Sequence, residues 1–499
     1  MIEFMFKLDE TSDEALYMQL YRHIRDEIVL GHIAANVKLP SIRRLSAHLG
    51  VSRSPVALAY EQLLAEGYVR SKPRSGLFAA KLDTAGFSAE QRLGLKSRAV
   101  TASGTDSASA PAALPSPKRA YHASQREEVL YDFGYGSVDV ASFPLAKWRR
   151  LMNRCLQPAN SRLLLYGDLQ GEPELRAEIA VYLRQMRGVH CLPEQIVVGA
   201  GTYHSLDLLF QLLQEDVTCM AAEEAVNDGV KALFEQFRFD CQPLQLESDG
   251  VRVEQLYSCA AQAVYVTPSH QFPYGMTMSA GKRIKLLQWA TEQNAYIVEN
   301  DYDGEFRYSG RPIPSLQSFD EEGRVIYVGT FSRSLTPSFR LSYLVLPLPL
   351  LERFRERKHS YDQLASPIFQ MTLQMFMQTG DFERHMRKMR SVYHKKRDVL
   401  LSALRQAFPE HVDIIGADSG LHVLLRVQSR MSETELVEAA SREGVAVYPI
   451  SAYMLAAQMA EKGQHEASTV LLGFGGLSES DIRSGVGRLA QAWQAIRIT

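Results

Sequence analysis

The stretch VIYVGTFSRSLTPSFRL, residues 325–341, has two features that decide the fold of most of this 499-residue chain. Its first five residues form a short apolar run, which is typical of a buried strand. Polar residues follow at once, among them Ser332, Arg333 and Arg340. Ligands of open α/β sheets bind beyond the carboxyl ends of the strands, so the stretch predicts a strand that delivers these side chains to a binding site.

Three upstream segments have the same form: IVVGAGTYHSLDLLFQLL (196–213), AVYVTPSHQFPYG (263–275) and AYIVENDYDGEF (295–306). From about Tyr131 such apolar runs alternate with amphipathic helical patterns, as a mostly parallel sheet covered by helices on both faces requires. Gly199 and Gly201 precede one of these helices, and a helix N-terminus is suited to hold an anion such as phosphate. The sequence therefore predicts an α/β body.

The composition changes at RAVTASGTDSASAPAALPSPKR, residues 98–119, which consists mostly of Ala, Ser, Thr and Pro. The stretch has no periodic apolar face, which is typical of a flexible linker. We expect a head over residues 10–80, a linker over 81–130, a large body domain over 131–370 and a small C-terminal domain over 371–499. A surface loop is the alternative for the linker, although structureless loops of this length are uncommon inside a compact domain.

The overall composition, with 46% hydrophobic and 22% charged residues, excludes wholesale disorder. The chain has no apolar run long enough for a transmembrane helix, and MIEFMFKLDE lacks the basic region of a secretory signal, so we expect a cytoplasmic protein. Its five cysteines show no CxxC spacing, and no metal site is expected. The balance of 55 basic against 57 acidic residues argues against nucleic-acid binding over the whole surface.

Charge is unevenly distributed within the head. Residues 38–74 contain seven Lys/Arg against Glu61 and Glu66, which gives +5, whereas residues 1–37 have −4. Apolar residues recur every four positions from Leu16 to Ile28, and Gly31 follows, which predicts a first helix. Ser41 and Ser52 are placed to cap a second and a third helix. The residues expected to face inward from the third helix are Val56, Tyr60, Leu63 and Leu64.

Two short strands, YVRSK and GLFAA, follow Gly67 and complete the pattern of a winged helix-turn-helix. The start of the third helix of such a fold enters the major groove of DNA, and basic residues of the wing contact the backbone. The residues expected to contact double-stranded DNA are Ser41, Arg43, Arg44, Ser52, Arg53, Ser54, Arg70, Lys72 and Arg74. A protein-interaction module with a basic face is the alternative.

The segment LPSIRRLSAHLGVSRSPVALAYEQLLAEGYVRSKPRSGLF resembles the heads of the GntR family of bacterial regulators. Asn36 and Arg74 stand where members of that family often have glycine. The body segments TPSHQFPYG, ENDYDGEFRY and GTFSRSLTPSFRL, with YGDLQGEPELRAEIAVYLRQMRG, resemble the fold-type I aminotransferases, which use pyridoxal phosphate. A GntR head joined to such a body resembles the MocR regulators. The resemblance implies a head-to-tail homodimer, each head over its partner's body, and a small-molecule effector that tunes binding to operator half-sites.

By this resemblance, Tyr302 matches a tyrosine that binds the cofactor's ring hydroxyl and Arg340 an arginine that binds its phosphate. Arg333 stands where the family has the lysine that bonds covalently to the cofactor, and Asn300 where it has the aspartate that protonates the ring. The residues expected to line the cofactor site are Gly199, Ala200, Gly201, Thr202, Asn227, His270, Asn300, Tyr302, Ser332, Arg333 and Arg340.

Two further elements of the family's site are missing. Residues 223–227 lack the proline and the tyrosine of its E-x-P-x-Y motif, Asn227 taking the place of the tyrosine, and no arginine for a substrate carboxylate occurs between residues 443 and 482. Because a guanidinium stays protonated, we expect no covalent attachment of the cofactor and no catalytic residue. Arg333 is expected either to clamp an anionic ligand or to form an ion pair with Asp301 or Glu223.

The favoured hypothesis is a transcriptional regulator whose aminotransferase-like body senses an effector and dimerises. One alternative is a regulator that holds pyridoxal phosphate non-covalently. The other is an active aminotransferase with a DNA-binding head, for which Lys282 or Lys285 would have to supply the amine.

Overall fold

The computed structural model describes residues 8, 15–72, 75–82, 129–308, 313–409, 411–429, 431–455 and 468–493. It confirms a winged-helix head followed by a mixed α/β body with a seven-stranded sheet. Most of the expected linker, residues 83–128, lies outside the described residues, as does Arg74. The domain boundaries stay a prediction. No helix within the described ranges is long and apolar enough to cross a membrane.

The described residues of the head contain three helices, two of which begin directly after the serines predicted to cap them. They span Leu16–Val29, Ile42–Leu49 and Arg53–Ala65, and the last is called the recognition helix below. The Ser41 hydroxyl accepts a hydrogen bond from the Arg44 amide at 3.3 Å, and Gly50 ends the second helix in the left-handed conformation. Ser52 is the N-cap residue of the recognition helix, but its side chain forms no capping hydrogen bond, so its expected role as a cap is not fulfilled.

The core of the head forms between its first helix and the recognition helix. Val56, Tyr60 and Leu63 are buried as expected, whereas Leu64 is 41% exposed because it lies at the edge of the buried face. The wing is an antiparallel pair, Val69–Lys72 with Gly76–Ala79, in which Val69 lies opposite Ala79. Asn36 has φ +63°, a conformation that glycine adopts readily and asparagine tolerates, which accounts for its place at this turn.

The body is built on a seven-stranded sheet whose two faces are both covered. Six of its strands run in the same direction, and Ser342–Val345 is antiparallel to both of its neighbours. Tyr265 and Val298 pack toward the helix Thr202–Leu213, while Val264 and Ile297 pack toward the helix Ala280–Glu292. The strands, in order across the sheet, are Ile196–Gly199, Ser342–Val345, Val325–Thr330, Tyr296–Asp301, Ala263–Val266, Cys219–Glu223 and Asp240–Leu244.

A second, four-stranded sheet forms the smaller lobe, with the helices Asp381–Ala407 and Glu479–Ala492 packed together beside it. The strand Tyr131–Asp132 pairs with Val445–Ala446, so the first strand of the body lies against this lobe. The four strands, in order, are Val412–Ile415, His422–Val427, Ser468–Gly473 and Tyr448–Pro449. A hairpin joins Leu246–Glu247 to Gly250–Val251. The other α-helices described in the body are Leu145–Cys155, Pro173–Arg187, Asp228–Gln236, Leu348–Arg357, Pro367–Gln378 and Glu433–Arg442.

The head packs against the body of its own chain at the end of the recognition helix, whereas the resemblance implies a head that lies over the partner's body. The Ala280 amide donates a hydrogen bond to the Glu66 carbonyl at 2.8 Å, and Ala280 is buried in the core of the head. The Glu66 side chain, 3% exposed, accepts hydrogen bonds from the Tyr21 hydroxyl and the Gln62 amide, each at 2.5 Å. Burial raises the pKa of Glu66. This buried acceptor therefore ties two helices of the head together where the head meets the body.

Replacing Glu66 by alanine should destabilise the head, because two buried donors lose their acceptor, at a cost of about 1–3 kcal/mol. Amide hydrogen exchange of the recognition helix in the full-length protein measures this loss as faster opening. Glu66→Gln retains an acceptor and should lose less, and Glu61→Ala, at an exposed position of the same helix, should change nothing. Equal exchange in Glu66→Ala and Glu61→Ala would contradict the assigned role.

Candidate functional site

A cavity of about 280 Å³ lies beyond the carboxyl ends of the central strands. Seven residues of the predicted site line it: Thr202, Asn227, Asn300, Tyr302, Ser332, Arg333 and Arg340. Gly199, Ala200, Gly201 and His270 do not line it but adjoin residues that do. The other lining residues are Tyr135, Gly136, Tyr203, Glu223, Ala225, Val226, Val230, Tyr265, Thr267, Phe272, Thr330 and Pro337.

One corner of the cavity is suited to bind a phosphate-like anion. The strand Ile196–Gly199 leads through Gly201, with φ +94°, into the N-terminus of the helix Thr202–Leu213. The Arg340 guanidinium lies so close to Gly201 that any Cβ there would overlap it. The Arg340 guanidinium donates a hydrogen bond to the Pro337 carbonyl at 3.4 Å. A helix N-terminus and a guanidinium thus converge here with no carboxylate between them among the described residues.

Arg333 is half-buried in the wall of the cavity, and its guanidinium carbon lies 5.0 Å from the ring centroid of Tyr135. Within the described part of the chain Arg333 forms no ion pair, so the expected pairing with Asp301 or Glu223 is wrong. Asp301 is held by Arg187, whose Nε lies 2.6 Å from Asp301 Oδ2. The Glu223 carboxyl instead accepts hydrogen bonds from Thr267.

Asn300 presents a neutral side chain at the end of the strand Tyr296–Asp301. Its Nδ2 donates a hydrogen bond to the Tyr265 hydroxyl at 2.6 Å. Its Oδ1 is buried and has no hydrogen-bond partner among the described residues, and Asn300 is 7% exposed. An orphaned buried acceptor is costly, so this atom is available to a hydrogen-bond donor that enters the cavity.

His270 lies behind the cavity wall and contacts Tyr302. The Tyr302 hydroxyl is 3.0 Å from His270 Nδ1, and Asp303 Oδ1 is 2.9 Å from the same nitrogen. The ring of His422 packs against His270 with centroids 5.2 Å apart, and burial lowers the pKa of His422 to about 3, which keeps that ring neutral. His270 therefore positions Tyr302 rather than facing a ligand itself.

Sequence reasoning missed four aromatic residues that line the cavity: Tyr135, Tyr203, Tyr265 and Phe272. Tyr135 reaches it from the loop after the first body strand, and Tyr203 from the first turn of the helix Thr202–Leu213. Asn227 links the two, with its Oδ1 accepting from the Tyr203 hydroxyl and its Nδ2 donating to the Tyr135 hydroxyl. Burial raises the pKa of Glu223 to about 7. Tyr203, in the first turn of the helix Thr202–Leu213, is the feature of the sequence that could have predicted an aromatic cavity wall.

The buried ion pair beneath the cavity was also missed. Arg187, 1% exposed, bonds to Asp301 and donates a second hydrogen bond from Nη2 to the Ser269 hydroxyl at 2.6 Å. The Tyr327 hydroxyl donates to Asp301 Oδ2 at 2.5 Å. Asp301 therefore has a structural role, since both of its strong partners come from the protein.

None of the lysines in the described ranges lines the cavity. Lys282 Nζ lies 2.6 Å from Glu247 Oε2 and 3.1 Å from Asp249 Oδ1. Lys285 Nζ lies 2.8 Å from Glu254 Oε1. Both ammonium groups are engaged with surface carboxylates, so neither supplies an amine to the site.

The head presents a basic surface around the start of the recognition helix. Arg53 and Ser54 open this helix, and Arg43 and Arg44 lie in the first turn of the helix before it. On the wing, Lys72 Nζ lies 4.6 Å from the ring centroid of Phe78. The predicted DNA contacts that the structure describes are all exposed: Ser41, Arg43, Arg44, Ser52, Arg53, Ser54, Arg70 and Lys72.

Comparison with protein families divides the chain in the same way. Residues 16–78 match the family described as bacterial regulatory proteins, gntR family. Residues 130–462, more than half of the chain, match aminotransferase class I and II. The first match coincides with the three helices and the wing of the head, and the second with the body that carries the cavity.

Full-length relatives share both parts. The chain is 40% identical over 487 residues to the uncharacterized HTH-type transcriptional regulator YdeL of Bacillus subtilis, with 98% of each chain covered. It is 33% identical over 495 residues to the probable rhizopine catabolism regulatory protein MocR of Rhizobium meliloti, covering 99% of this chain and 96% of the relative. The crystal structure of an archaeal alanine:glyoxylate aminotransferase matches with a TM-score of 0.67 and 26% identity, over 73% of this chain and 91% of that one.

Replacing Arg187 by leucine should lower the free energy of unfolding of the body by about 3–5 kcal/mol, because Asp301 is left buried and uncompensated. Urea unfolding followed by tryptophan fluorescence measures this loss, and the double variant Arg187→Leu with Asp301→Leu should recover part of it. Arg252→Leu, which breaks a solvent-exposed pair with Glu247, should cost no more than ~1 kcal/mol. A loss in Arg187→Leu no larger than in Arg252→Leu would contradict this account.

Proposed function

The chain belongs to the MocR-like GntR transcriptional regulators, and we propose that its aminotransferase-like body is a non-catalytic sensor that binds a small molecule without a covalent bond. The observation that carries this proposal is Arg333, a guanidinium in the cavity wall with no carboxylate partner among the described residues. A regulator needs a body that changes the behaviour of its head, and the head packs directly on the body at Ala280.

Arg333 argues against covalent chemistry on physical grounds. Imine formation needs a neutral amine, whereas a guanidinium has a pKa above ~12 and spreads its charge over three nitrogens. The lysines considered as substitutes, Lys282 and Lys285, are paired with surface carboxylates. An active aminotransferase is therefore the least supported of the three hypotheses.

Pyridoxal phosphate, the cofactor that the fold implies, fits the cavity only in part. The corner formed by Gly201, Thr202 and Arg340 suits its phosphate. The positions around its ring do not suit catalysis, because Asn300 carries no charge that would keep a ring nitrogen protonated, and Arg333 offers no nucleophile. These residues support reversible binding of a phosphorylated ligand, with non-covalent pyridoxal phosphate as the second candidate.

Recognition of double-stranded DNA is assigned to the head. Arg53 is placed to reach the major groove, while Arg43 and the wing residues Arg70 and Lys72 are placed to contact phosphates. If the protein forms the homodimer that we propose, head-to-tail, the operator contains two half-sites. We place the protein in the cytoplasm, where bacterial DNA is accessible to it.

Arg53→Ala should weaken binding to an operator selected from random-sequence duplexes by the wild-type protein. Loss of one base or phosphate contact predicts a decrease of about 1–3 kcal/mol, or roughly 5- to 150-fold, in a shift assay at fixed salt. Arg149→Ala removes the same charge from an exposed body helix and should bind as the wild type does. Unchanged binding in Arg53→Ala would count against the assignment of the recognition helix.

Covalent attachment can be tested by incubating the protein with pyridoxal phosphate, reducing it with borohydride and mapping modified peptides by mass spectrometry. We expect no modification on any cavity peptide of the wild type, because Arg333 cannot be trapped in this way. The variant Arg333→Lys is the matched control and should become modified at position 333. The non-covalent proposal would be contradicted if pyridoxal phosphate modified one lysine per wild-type chain at saturation and thereby protected that lysine from competing reagents.

A further inference from the structure

Two guanidinium groups line the cavity, and neither forms an ion pair within the described part of the chain. Arg333 is half-buried and Arg340 is exposed. A half-buried cation loses part of its solvation, and the contact of Arg333 with the Tyr135 ring restores only part of it, so an anionic group on a ligand is favoured beside Arg333. Arg340, which lies beside Gly201 and a helix N-terminus, favours an anionic group at that corner.

The two guanidinium groups act on different parts of the wall. Burial raises the pKa values of Tyr135 and Tyr302, and the positive charge of Arg333 lowers them in part. The positive charge of Arg340 acts instead on His204, whose pKa is lowered by burial and also by this charge. Arg340 lies near Gly201 and the N-terminus of the helix Thr202–Leu213. Because the Arg333 guanidinium lies 5.0 Å from the Tyr135 ring centroid and the Arg340 guanidinium lies against Gly201, the two groups contact different parts of the wall.

The cavity wall beside Arg333 is aromatic. The rings of Tyr135 and Phe272 pack with centroids 5.1 Å apart, and those of Phe272 and Tyr302 with centroids 6.2 Å apart. All three residues line the cavity, whose volume of about 280 Å³ limits a ligand to roughly one ring with its substituents. A planar ring suits such walls, because aromatic side chains stack on flat groups.

Asn300 gives an independent indication of a ligand. Its Oδ1 is buried, has no partner in the part of the chain that the structure describes, and belongs to a residue that lines the cavity. The side chain is neutral and requires a hydrogen-bond donor, not an anion, at this point of the ligand's edge. The ligand is thus anionic at two positions and carries a donor at a third.

We propose that the cavity binds a single-ring phosphate monoester that also carries a carboxylate, with the phosphate on Arg340 and the helix N-terminus and the carboxylate on Arg333. Both guanidinium groups can form paired hydrogen bonds with these planar or tetrahedral oxyanions. The inference rests on the proposed function, since it names the ligand class of the same non-covalent site. It differs from the cofactor that the fold implies, which has an aldehyde where this ligand has a carboxylate.

A matched series of three pyridine phosphate monoesters tests the second anion. They share the ring and the phosphate and differ in one substituent, which is a carboxylate in 4-pyridoxic acid 5′-phosphate, a hydroxymethyl group in pyridoxine 5′-phosphate and an aldehyde in pyridoxal 5′-phosphate. Isothermal titration calorimetry on the full-length protein should show the carboxylate binding at least tenfold more tightly than the hydroxymethyl compound. 4-Pyridoxic acid, which lacks the phosphate, should bind at least tenfold more weakly than its phosphate ester.

Arginine variants assign each anion to its side chain. Arg333→Gln should abolish the preference for carboxylate over hydroxymethyl, whereas Arg333→Lys, which keeps the charge, should retain part of it. Arg340→Gln should weaken all three phosphate esters. Arg405→Gln removes an exposed guanidinium from another helix and should change no affinity. Circular dichroism establishes that each variant is folded.

Equal affinity for the carboxylate and hydroxymethyl compounds would overturn the inference, as would a carboxylate preference that persists in Arg333→Gln. Failure of the carboxylate compound to bind at millimolar concentration would overturn it too. None of these results depends on DNA binding or on covalent modification. A wild-type protein trapped by borohydride would instead contradict the proposed function, so the two failures are distinguishable.

Discussion

The buried pair between Arg187 and Asp301 holds the floor of the cavity in place. Through Ser269, Asp301 and Tyr327 it joins three neighbouring strands or the loops that follow them, and Arg187 itself ends the helix Pro173–Arg187. Removing one partner of such a pair is strongly destabilising, because the other charge is left buried and uncompensated. The positions of Asn300 and Tyr302, on either side of Asp301, depend on it. The chain has thus kept the frame of an aminotransferase site, while the groups that face the ligand differ.

Those differences favour sensing over catalysis. An enzyme of this fold needs a nucleophile and a charged partner for the cofactor ring, and we propose that a guanidinium, Arg333, and a neutral amide, Asn300, occupy these positions here. A sensor needs only affinity and a path to the head. Arg283 offers such a connection. It lies in the helix that begins at Ala280, where the head packs against the body, and its guanidinium donates hydrogen bonds to the carbonyls of Pro268 and Pro314. Arg283 therefore joins the loop after Thr267 to the helix on which Glu66 meets the body.

The local features of the fold followed from the sequence, and the long-range ones did not. The helices of the head and the strand ends of the body were predictable, because caps, turns and apolar periodicity are encoded within a few residues. The cavity was predictable from the order of four strand ends. Arg187 and Tyr135 were not, since each lies far along the chain from its partners and has no distinctive local pattern. The expected ion pair of Arg333 failed for the same reason, because Arg187, 114 residues before Asp301, takes that carboxylate.

The central proposal is that Arg333 binds an anion at the position where, by the resemblance, the family has the lysine that bonds covalently to the cofactor. A crystal structure of the protein with 4-pyridoxic acid 5′-phosphate tests it most directly. The account predicts the phosphate beside Arg340 and the carboxylate within hydrogen-bond distance, about 2.7–2.9 Å, of the Arg333 guanidinium. A ligand bound with its carboxylate turned to solvent, and Arg333 remaining on Tyr135 without an anionic partner, would contradict it.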